Sequence, residues 1–154
     1  MKKLLLFTIT FFLLNACTSV DVYEKTEAFS KHAWSNNDKL TFTFIIADTT
    51  ALYNIYAVIR HTDDYHWNNM WLNVTTIAPG EAANTQQVNL KLGDNTKGWL
   101  GAAMDDIIEH RVLLTRYPVK LKKGNYNFVV QQTMREDPLQ NVMNAGIRVE
   151  KAVQ

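Results

Sequence analysis

The sequence predicts an all-β protein, an antiparallel β-sandwich similar to a jelly roll, preceded by a lipoprotein signal peptide. Three observations predict it. Short segments alternate apolar and polar residues with period two, residues such as Gly, Pro, Asn and Asp separate these segments, and the N-terminus combines lysines, an apolar stretch and a cysteine. About eight or nine short strands with little helix are typical of two packed sheets.

The N-terminus has the parts of a bacterial lipoprotein signal peptide. Two lysines precede the apolar residues 4–14, and Leu14 stands three places before Cys17, with the small Ala16 beside the cleavage site. The apolar stretch is shorter than the ~20 residues of a membrane span. The alternative is an ordinary secretory signal peptide with a free thiol, but a lone cysteine in an exported chain has no disulfide partner.

Cleavage before Cys17 leaves 138 of the 154 residues, and the thiol of Cys17 can take a diacylglyceryl thioether. Buried acyl chains contribute about 0.8 kcal/mol per methylene, and two or three chains give durable attachment to membrane lipid. We predict a signal peptide at 1–16, a lipidated N-terminus and short tether at 17–36, and one β-sandwich domain at 37–154. The predicted location is the outer membrane, with the domain facing the periplasm.

The charge balance gives no support to a nucleic-acid partner. The chain has 16 basic and 15 acidic side chains, and loss of the two signal-peptide lysines leaves 14 against 15. A domain that binds nucleic acid carries a clustered basic excess. The single cysteine also predicts no disulfide, so packing must supply the stability.

The first half of the domain contains segments with strand periodicity. A short edge strand is expected around Val22, and further strands are expected at 40–46, at 53–60 and through Met70, Leu72 and Val74. The polar run from His61 to His66 is expected to be a loop, and Pro79-Gly80 a turn.

The second half repeats this pattern. Thr85–Leu92 is expected to be a strand with one buried and one solvent-exposed face, followed by a loop at Gly93–Gly98. Residues 105–114 fit both helix and strand spacing, and the neighbouring strands favour a strand. Alternation around Phe128 predicts another strand, and residues 147–149 close the sheet after an interruption at Asp137-Pro138 that has room for one helical turn.

Six fragments, in this order, make the chain resemble the gliding motility lipoprotein GldH family of Bacteroidota. They are Tyr53-Asn54-Ile55-Tyr56, Asn69-Met70-Trp71-Leu72, Gly98-Trp99-Leu100-Gly101, Glu109-His110-Arg111, residues 132–139 and residues 146–151. The resemblance implies a cell-envelope lipoprotein needed for surface gliding, working alongside the motility apparatus linked to type IX secretion. It implies no enzymatic activity, and only the lipid site at Cys17 carries over.

Four titratable residues lie close together in the sequence: Asp105, Asp106, Glu109 and His110. A glycoside hydrolase needs two carboxylates in distinct environments within a cleft. On a strand, Asp106 and His110 share one face while Asp105 and Glu109 share the other, which splits the cluster. We therefore predict no catalytic site and keep a hydrolase built on Asp106, Glu109 and His110 as a third hypothesis.

Two polar segments have some of the residue types of metal sites. The spacing of His61, Asp63, Asp64 and His66 matches no common zinc arrangement. Ca²⁺ is coordinated by about six to eight oxygen atoms, and the Gly93–Gly98 loop does not supply that many. The sequence therefore predicts neither a metal nor a cofactor.

The aromatic residues are the strongest indication of a different function, a carbohydrate-binding module. Core packing is expected to explain Trp71 and Trp99, because both lie within alternating segments. Tyr65 and Trp67 stand beside the predicted loop and are expected to be exposed, where they would contact a partner protein or a glycan.

Overall fold

The computed structural model describes residues 21–153, in which β-strands dominate. The strands are β1 Asp21–Ala28, β2 Ala33–Trp34, β3 Leu40–Ile46, β4 Leu52–Thr62, β5 Asn69–Ile77, β6 Asn84–Lys91, β7 Gly93–Asp94, β8 Gly98–Trp99, β9 Ala102–Met104, β10 Ile107–Leu113, β11 Val119–Lys120, β12 Gly124–Gln132, β13 Leu139–Gln140 and β14 Val142–Lys151. A 3₁₀ turn, Ser30–His32, joins β1 to β2. Across residues 21–153 no helix is long and apolar enough to cross a bilayer.

Two antiparallel sheets form the body of the protein. The larger sheet has the order β1-β14-β4-β10-β9, with β11 paired to the start of β4. The smaller sheet has the order β3-β12-β5-β6. Two short pairs, β2 with β13 and β7 with β8, lie outside these sheets. The predicted all-β antiparallel sandwich is confirmed.

The core lies between the two sheets and follows from the alternation in the sequence. Along β3 every second side chain is buried, from Leu40 to Ile46. The ring of Phe44 stacks on Tyr126 and Phe128 of β12, with centroids 5.5 and 5.6 Å apart. The opposing sheet contributes buried side chains from β4 and β14. Burial of a large apolar side chain contributes about 1.5–3 kcal/mol, so these layers supply most of the stability.

The strand register defines two ends of the sandwich. Asp21 pairs with Glu150, Glu150 pairs with Asn54, and the adjacent Tyr53 pairs with Val119. We call this the proximal end, because the first described residue lies there. The strands are antiparallel, so the loops at 47–51, 78–83 and 114–118 lie at the proximal end. The loops at 63–68, 95–97 and 133–138 lie at the opposite, distal end.

Several predicted boundaries differ from the structure. β1 pairs along β14, so residues 21–36, assigned to the tether, contain two strands of the folded body. β4 runs through Thr62, so His61 lies in a strand and not in a loop. Residues 105–114 hold the turn into β10, in agreement with the favoured strand. The short strand β13, and no helical turn, follows Asp137-Pro138.

Candidate functional site

The predicted lipid attachment site, Cys17, lies outside the described residues, four positions before the start of β1. β1 is an edge strand of the larger sheet, and Asp21 stands at the proximal end. The chain therefore enters the folded body at that end. Acylation of Cys17 stays a prediction.

An exposed aromatic patch lies at the distal end of β5. Trp67 is 43% exposed and Trp71 is 38% exposed, and both line a surface depression of about 500 Å³ together with Met134 and Arg135. We call these four residues the tryptophan patch. Exposed Trp and Arg side chains with a polar rim are typical of surfaces that bind a partner.

Contacts from the loop before β13 hold the patch in place. The backbone N–H of Trp71 donates to Met134 Sδ at 3.2 Å, and the N–H of Thr133 donates to Trp71 O at 2.9 Å. Trp67 Nε1 donates to Glu136 Oε2 at 2.8 Å. The ring of Trp67 is therefore held by a hydrogen bond before a partner arrives, and the backbone of Trp71 is tied to the same loop. Both contacts reduce the entropy lost on binding.

The expectation that Trp71 packs in the core is wrong. Met70 and Leu72 are fully buried, so the residue between them on β5 must point to the outer face. Trp99 is half-buried and does pack against the core, with its Nε1 donating to Asp63 Oδ1 at 2.6 Å.

The expectation that Tyr65 is exposed is also wrong. Its side chain is only 3% exposed, and its ring lies against His61 with centroids 4.9 Å apart. The hydroxyl donates to Asn69 O at 3.0 Å, and burial raises the pKa of this phenol. The polar residues around Tyr65 indicate an exposed loop, but the loop turns the Tyr65 ring inward. Only Trp67 of the predicted contact pair therefore lies on the surface.

A buried pair of histidines lies in the larger sheet near the distal end. His61 on β4 and His110 on β10 are 0% and 2% exposed, and their Nε2 atoms are 2.9 Å apart. The register of β4 and β10 pairs His61 with Ile108 and His110 with Ile59. The two imidazoles therefore lie on neighbouring strands and point to the same face of the larger sheet. The edge of Trp99 packs against both imidazoles.

The hydrogen bonds assign the proton positions in this histidine pair. His61 Nδ1 lies 2.7 Å from Thr62 O, and because a carbonyl only accepts, Nδ1 must carry the proton. The bare Nε2 of His61 then accepts from the Nε2–H of His110. This leaves His110 Nδ1 unprotonated beside Gly101, where an added Cβ would lie 2.8 Å from that nitrogen.

Burial keeps both histidines neutral. It lowers the pKa of His110 to about 4, with a further lowering from the adjacent His61. It also lowers the pKa of His61, against smaller opposing effects from the Thr62 carbonyl and Asp63. A second proton in this pocket would place a charge among aromatic rings, so the pair is a packed polar element at neutral pH.

The acidic residues near His110 do not converge on one point. Glu109 lies on the outer face of the larger sheet, where it forms ion pairs with Arg60 and Arg111. His110 points into the interior, and Asp106 is exposed in the turn before β10. The strand register therefore separates the three groups of the hydrolase hypothesis.

The candidate metal segments serve local structure. His61 is buried away from the exposed Asp63, Asp64 and His66. Asp94 accepts hydrogen bonds from the N–H and hydroxyl of Thr96, at 3.0 and 2.6 Å, which closes the loop between β7 and β8. Among residues 21–153 no group of three or more His, Cys, Asp or Glu side chains is arranged to hold a metal ion.

The outer face of the larger sheet is covered by a charge ladder. Arg148 pairs with Glu24, Arg111 lies 3.6 Å from Glu24 and 3.0 Å from Glu109, and Arg60 pairs with Glu109. Alternating charges on adjacent strands satisfy one another across the sheet. This face therefore presents few unpaired charges to a partner.

The outer face of the smaller sheet is almost uncharged. Thr43 Oγ1 donates to Asn127 Oδ1 at 2.6 Å, and Asn69 Nδ2 donates to Asn89 Oδ1 at 2.8 Å. Lys91 is the one charged residue at the outward positions of its four strands, all of which lie within the described part of the chain. The other polar side chains on the outer face of the smaller sheet are Thr41, Asn73, Thr75, Thr85, Gln87, Asn125 and Gln131.

Two features of the distal end were missed from the sequence for different reasons. The exposure of Trp71 follows from period two, since its neighbours Met70 and Leu72 define the inward face. The contact between His61 and His110 joins residues 49 positions apart. No local pattern reports such a pairing, because it depends on which strand lies beside β4.

Comparison with known proteins gives one family. The family model described as GldH lipoprotein matches residues 21–149. The chain is 23% identical over 154 residues to the gliding motility lipoprotein GldH homolog of Christiangramia forsetii, covering 96% of this chain and 94% of that relative. It is 25% identical over 146 residues to the gliding motility lipoprotein GldH of Flavobacterium johnsoniae, covering 90% of each chain.

Similarity to solved structures is weak. The VP2 subviral particle of infectious bursal disease virus aligns over 86% of this chain and 30% of that chain, with 13% identity and a TM-score of 0.32. Another structure of the same virus, from the Gx strain, gives a TM-score of 0.28 at 12% identity and covers 30% of that chain. Scores this low support no conclusion about function.

Proposed function

The chain belongs to the GldH lipoprotein family, and on that basis we propose that it is a membrane-anchored envelope lipoprotein that supports gliding motility and the associated type IX secretion apparatus. The observation that carries this proposal is the match over nearly all of the folded domain, together with two relatives named for gliding motility. Cys17 is the attachment site, and the outer membrane with the domain facing the periplasm is the proposed location.

We propose a non-enzymatic role in which the tryptophan patch contacts another envelope protein. Trp67 and Trp71 are exposed, a hydrogen bond to Glu136 holds the ring of Trp67, and Arg135 adds a charge at the rim. Tryptophan and arginine anchors often contribute about 2 kcal/mol or more each to protein association. The ordered patch is thus well suited to bind a protein surface.

Motility, secretion and co-purification test this role together. A Trp67→Ala/Trp71→Ala variant expressed in place of the native gene should lose spreading and secretion. In a quantitative pull-down it should retain its membrane partner at least about 30-fold less well, the factor that about 2 kcal/mol from one anchor alone corresponds to. The matched control is Leu100→Ala, which removes another exposed apolar side chain at the distal end. Intact motility and secretion in a gene deletion strain would remove the proposed role.

The non-enzymatic part has its own test. Glu109→Gln and His110→Gln change the groups of the hydrolase hypothesis without removing the bulk of either side chain. Folded variants should support motility and secretion at the native level. Loss of function in a variant that retains the native thermal stability would indicate catalysis.

The proposed location is tested by proteolysis. A protease added to intact cells should leave the domain uncut, and the same protease should cut it after the outer membrane is permeabilised. Cleavage in intact cells would place the domain on the cell surface.

A second candidate function is binding of an envelope polysaccharide. The uncharged outer face of the smaller sheet favours it, since Thr, Asn and Gln side chains pair with sugar hydroxyls while an exposed ring such as Trp71 stacks on a sugar face. Saturable binding that Trp71→Ala weakens would support this function. A glycan array without hits would end it.

A further inference from the structure

One segment at the proximal end is strongly basic. Residues 114–123 contain Arg116, Lys120, Lys122 and Lys123 and no acidic residue. All four basic side chains are exposed. We call residues 114–123 the basic segment.

Most of this charge has no partner in the folded domain. Lys122 forms an ion pair with Glu81. Among residues 21–153 no carboxylate lies within ion-pair distance of Arg116, Lys120 or Lys123. This contrasts with the outer face of the larger sheet, where the charges are paired across strands. Within the described part of the chain, the basic segment therefore exposes three cations that no carboxylate neutralises.

Exposed apolar side chains accompany these cations. Tyr117 is 65% exposed, and the guanidinium carbon of Arg116 lies 5.5 Å from the centroid of its ring. Leu113 is 48% exposed and Val153 is 99% exposed, and both also lie at the proximal end. Tyrosine with basic neighbours is typical of segments that sit at the level of lipid headgroups.

The strand register places the basic segment close to the membrane anchor. At the proximal end, β14 and β4 lie between β1 and β11 in the larger sheet. Three strand-to-strand spacings therefore separate β1 from β11, a distance of about 14 Å. Asp21 follows Cys17 by four positions, which an extended chain spans in at most ~14 Å. An acylated Cys17 would therefore hold this end of the sandwich next to the bilayer.

We propose that the basic segment binds anionic phospholipid headgroups of the bilayer in which Cys17 is anchored. Arg116, Lys120 and Lys123 supply the electrostatic attraction, and Tyr117 inserts its ring at the headgroup level. The contact fixes the orientation of the domain, with the proximal end on the membrane and the tryptophan patch facing away from it. This inference rests on the proposed lipid anchor and adds a second, orienting contact.

The two ends differ in the charge that they offer to such a surface. Distal loops contain acidic residues that an anionic surface repels, among them Asp63, Asp64, Asp106 and Asp137. Each Lys or Arg near an anionic leaflet shifts the contact equilibrium about fivefold. The three cations without a carboxylate partner shift the contact equilibrium of the proximal end about a hundredfold.

Hydrogen exchange on the acylated native protein tests the contact. The protein is reconstituted in phosphatidylcholine vesicles with or without about 30 mol% phosphatidylglycerol. Amides of residues 115–123 should exchange more slowly on the anionic vesicles only, while amides of 63–68 and 133–137 should be unchanged. Raising the salt to about 1 M, where the Debye length falls to ~3 Å, should remove the protection.

Charge variants show whether the segment itself is responsible. Arg116→Glu/Lys120→Glu/Lys123→Glu should abolish the protection, since loss of the three cations alone shifts the contact equilibrium about a hundredfold. The control, Lys31→Glu/Lys39→Glu/Lys97→Glu, makes the same change of net charge with exposed distal lysines and should keep it.

Three outcomes would overturn the proposal. They are equal protection on neutral vesicles, equal loss in the control variant, and protection that appears only after another envelope protein is added. The mass of the same sample reports acylation of Cys17. A bare thiol there would refute the anchor, whereas an acylated protein with an unprotected basic segment would refute the orienting contact alone.

Discussion

The proximal and distal ends of the sandwich present different side chains on the same fold. The proximal end carries solvent-exposed cations, and two of its acidic residues, Asp48 and Glu81, are paired with Lys151 and Lys122. The distal end carries exposed tryptophans, and a buried histidine pair lies near this end in the larger sheet. The loops at the two ends are of similar length, but near the distal end the buried His61 packs against Tyr65 and Trp99. In the proposed function, recognition of a partner protein belongs to the distal end.

Glycines at the two ends should differ most in their tolerance of a side chain. At the distal end, a Cβ on Gly101 would lie 2.4 Å from Glu109 O, so the backbone must move. At the proximal end, Gly80 has open space but a φ of 72°. We expect Gly101→Ala to lower the free energy of unfolding by about 3 kcal/mol and Gly80→Ala by about 1 kcal/mol.

Urea denaturation of both variants measures this difference. The native protein and an exposed substitution such as Ala83→Ser, next to the same proximal turn, serve as references. Equal losses at Gly101 and Gly80 would show that close packing around His110 is not what constrains the distal end.

The two ends should also lose stability in different pH ranges. His110 has a pKa of about 4 in the folded protein and 6.5 when unfolded, so the unfolded state binds more protons between these values. Stability from neutral His110 is present above pH 6.5 and is lost as the pH falls toward 4. At pH 5 the expected loss is about 2 kcal/mol.

A His110→Gln variant isolates this contribution. Its free energy of unfolding should fall about 2 kcal/mol less than that of the native protein between neutral pH and pH 5. Parallel pH profiles for the two proteins would show that His110 titrates normally and is not held neutral by burial.

The proximal ion pair responds at lower pH. Lys151 holds the pKa of Asp48 well below its usual value of 3.8, with help from the hydroxyl and N–H of Thr50. Stability from this carboxylate is present above pH 3.8 and is lost as the pH falls further. Asp48→Asn should therefore flatten the pH profile only below about pH 4, and a change near pH 6 would contradict the assignment.

Removal of exposed rings should have the smallest effect on folding. Trp67→Ala at the distal end and Tyr117→Ala at the proximal end should each change the free energy of unfolding by less than about 1 kcal/mol. Thermal unfolding checks this directly. A larger loss at Trp67 would mean that its bond to Glu136 stabilises the fold, and its role in partner binding would then need a variant that keeps this bond.

The sequence predicted the sandwich because alternation is a local property. In Leu40–Ile46 the alternation of apolar and polar residues identifies the buried face without information about any other strand. The same holds for the strand around Phe128. The edge strand near Val22 was predicted too short, because its full length depends on pairing with β14, more than 100 positions away.

The candidate site was less predictable because its geometry comes from strand order. Trp67 was identified from its place beside a polar run. Tyr65, in the same run, is buried by contacts with His61 and Trp99 that only the tertiary fold creates. The charge of the basic segment can be read from the sequence. Its closeness to the start of β1 cannot, because it depends on the strand order β1-β14-β4-β11.

Site-specific photo-crosslinking in living cells tests the division between the two ends most directly. A photoreactive amino acid replaces Trp67 in one strain and Tyr117 in another, and the products are identified by mass spectrometry. We expect adducts with an envelope protein from position 67 and adducts with phospholipid from position 117. Lipid adducts from position 67, or protein adducts from position 117 alone, would contradict the account.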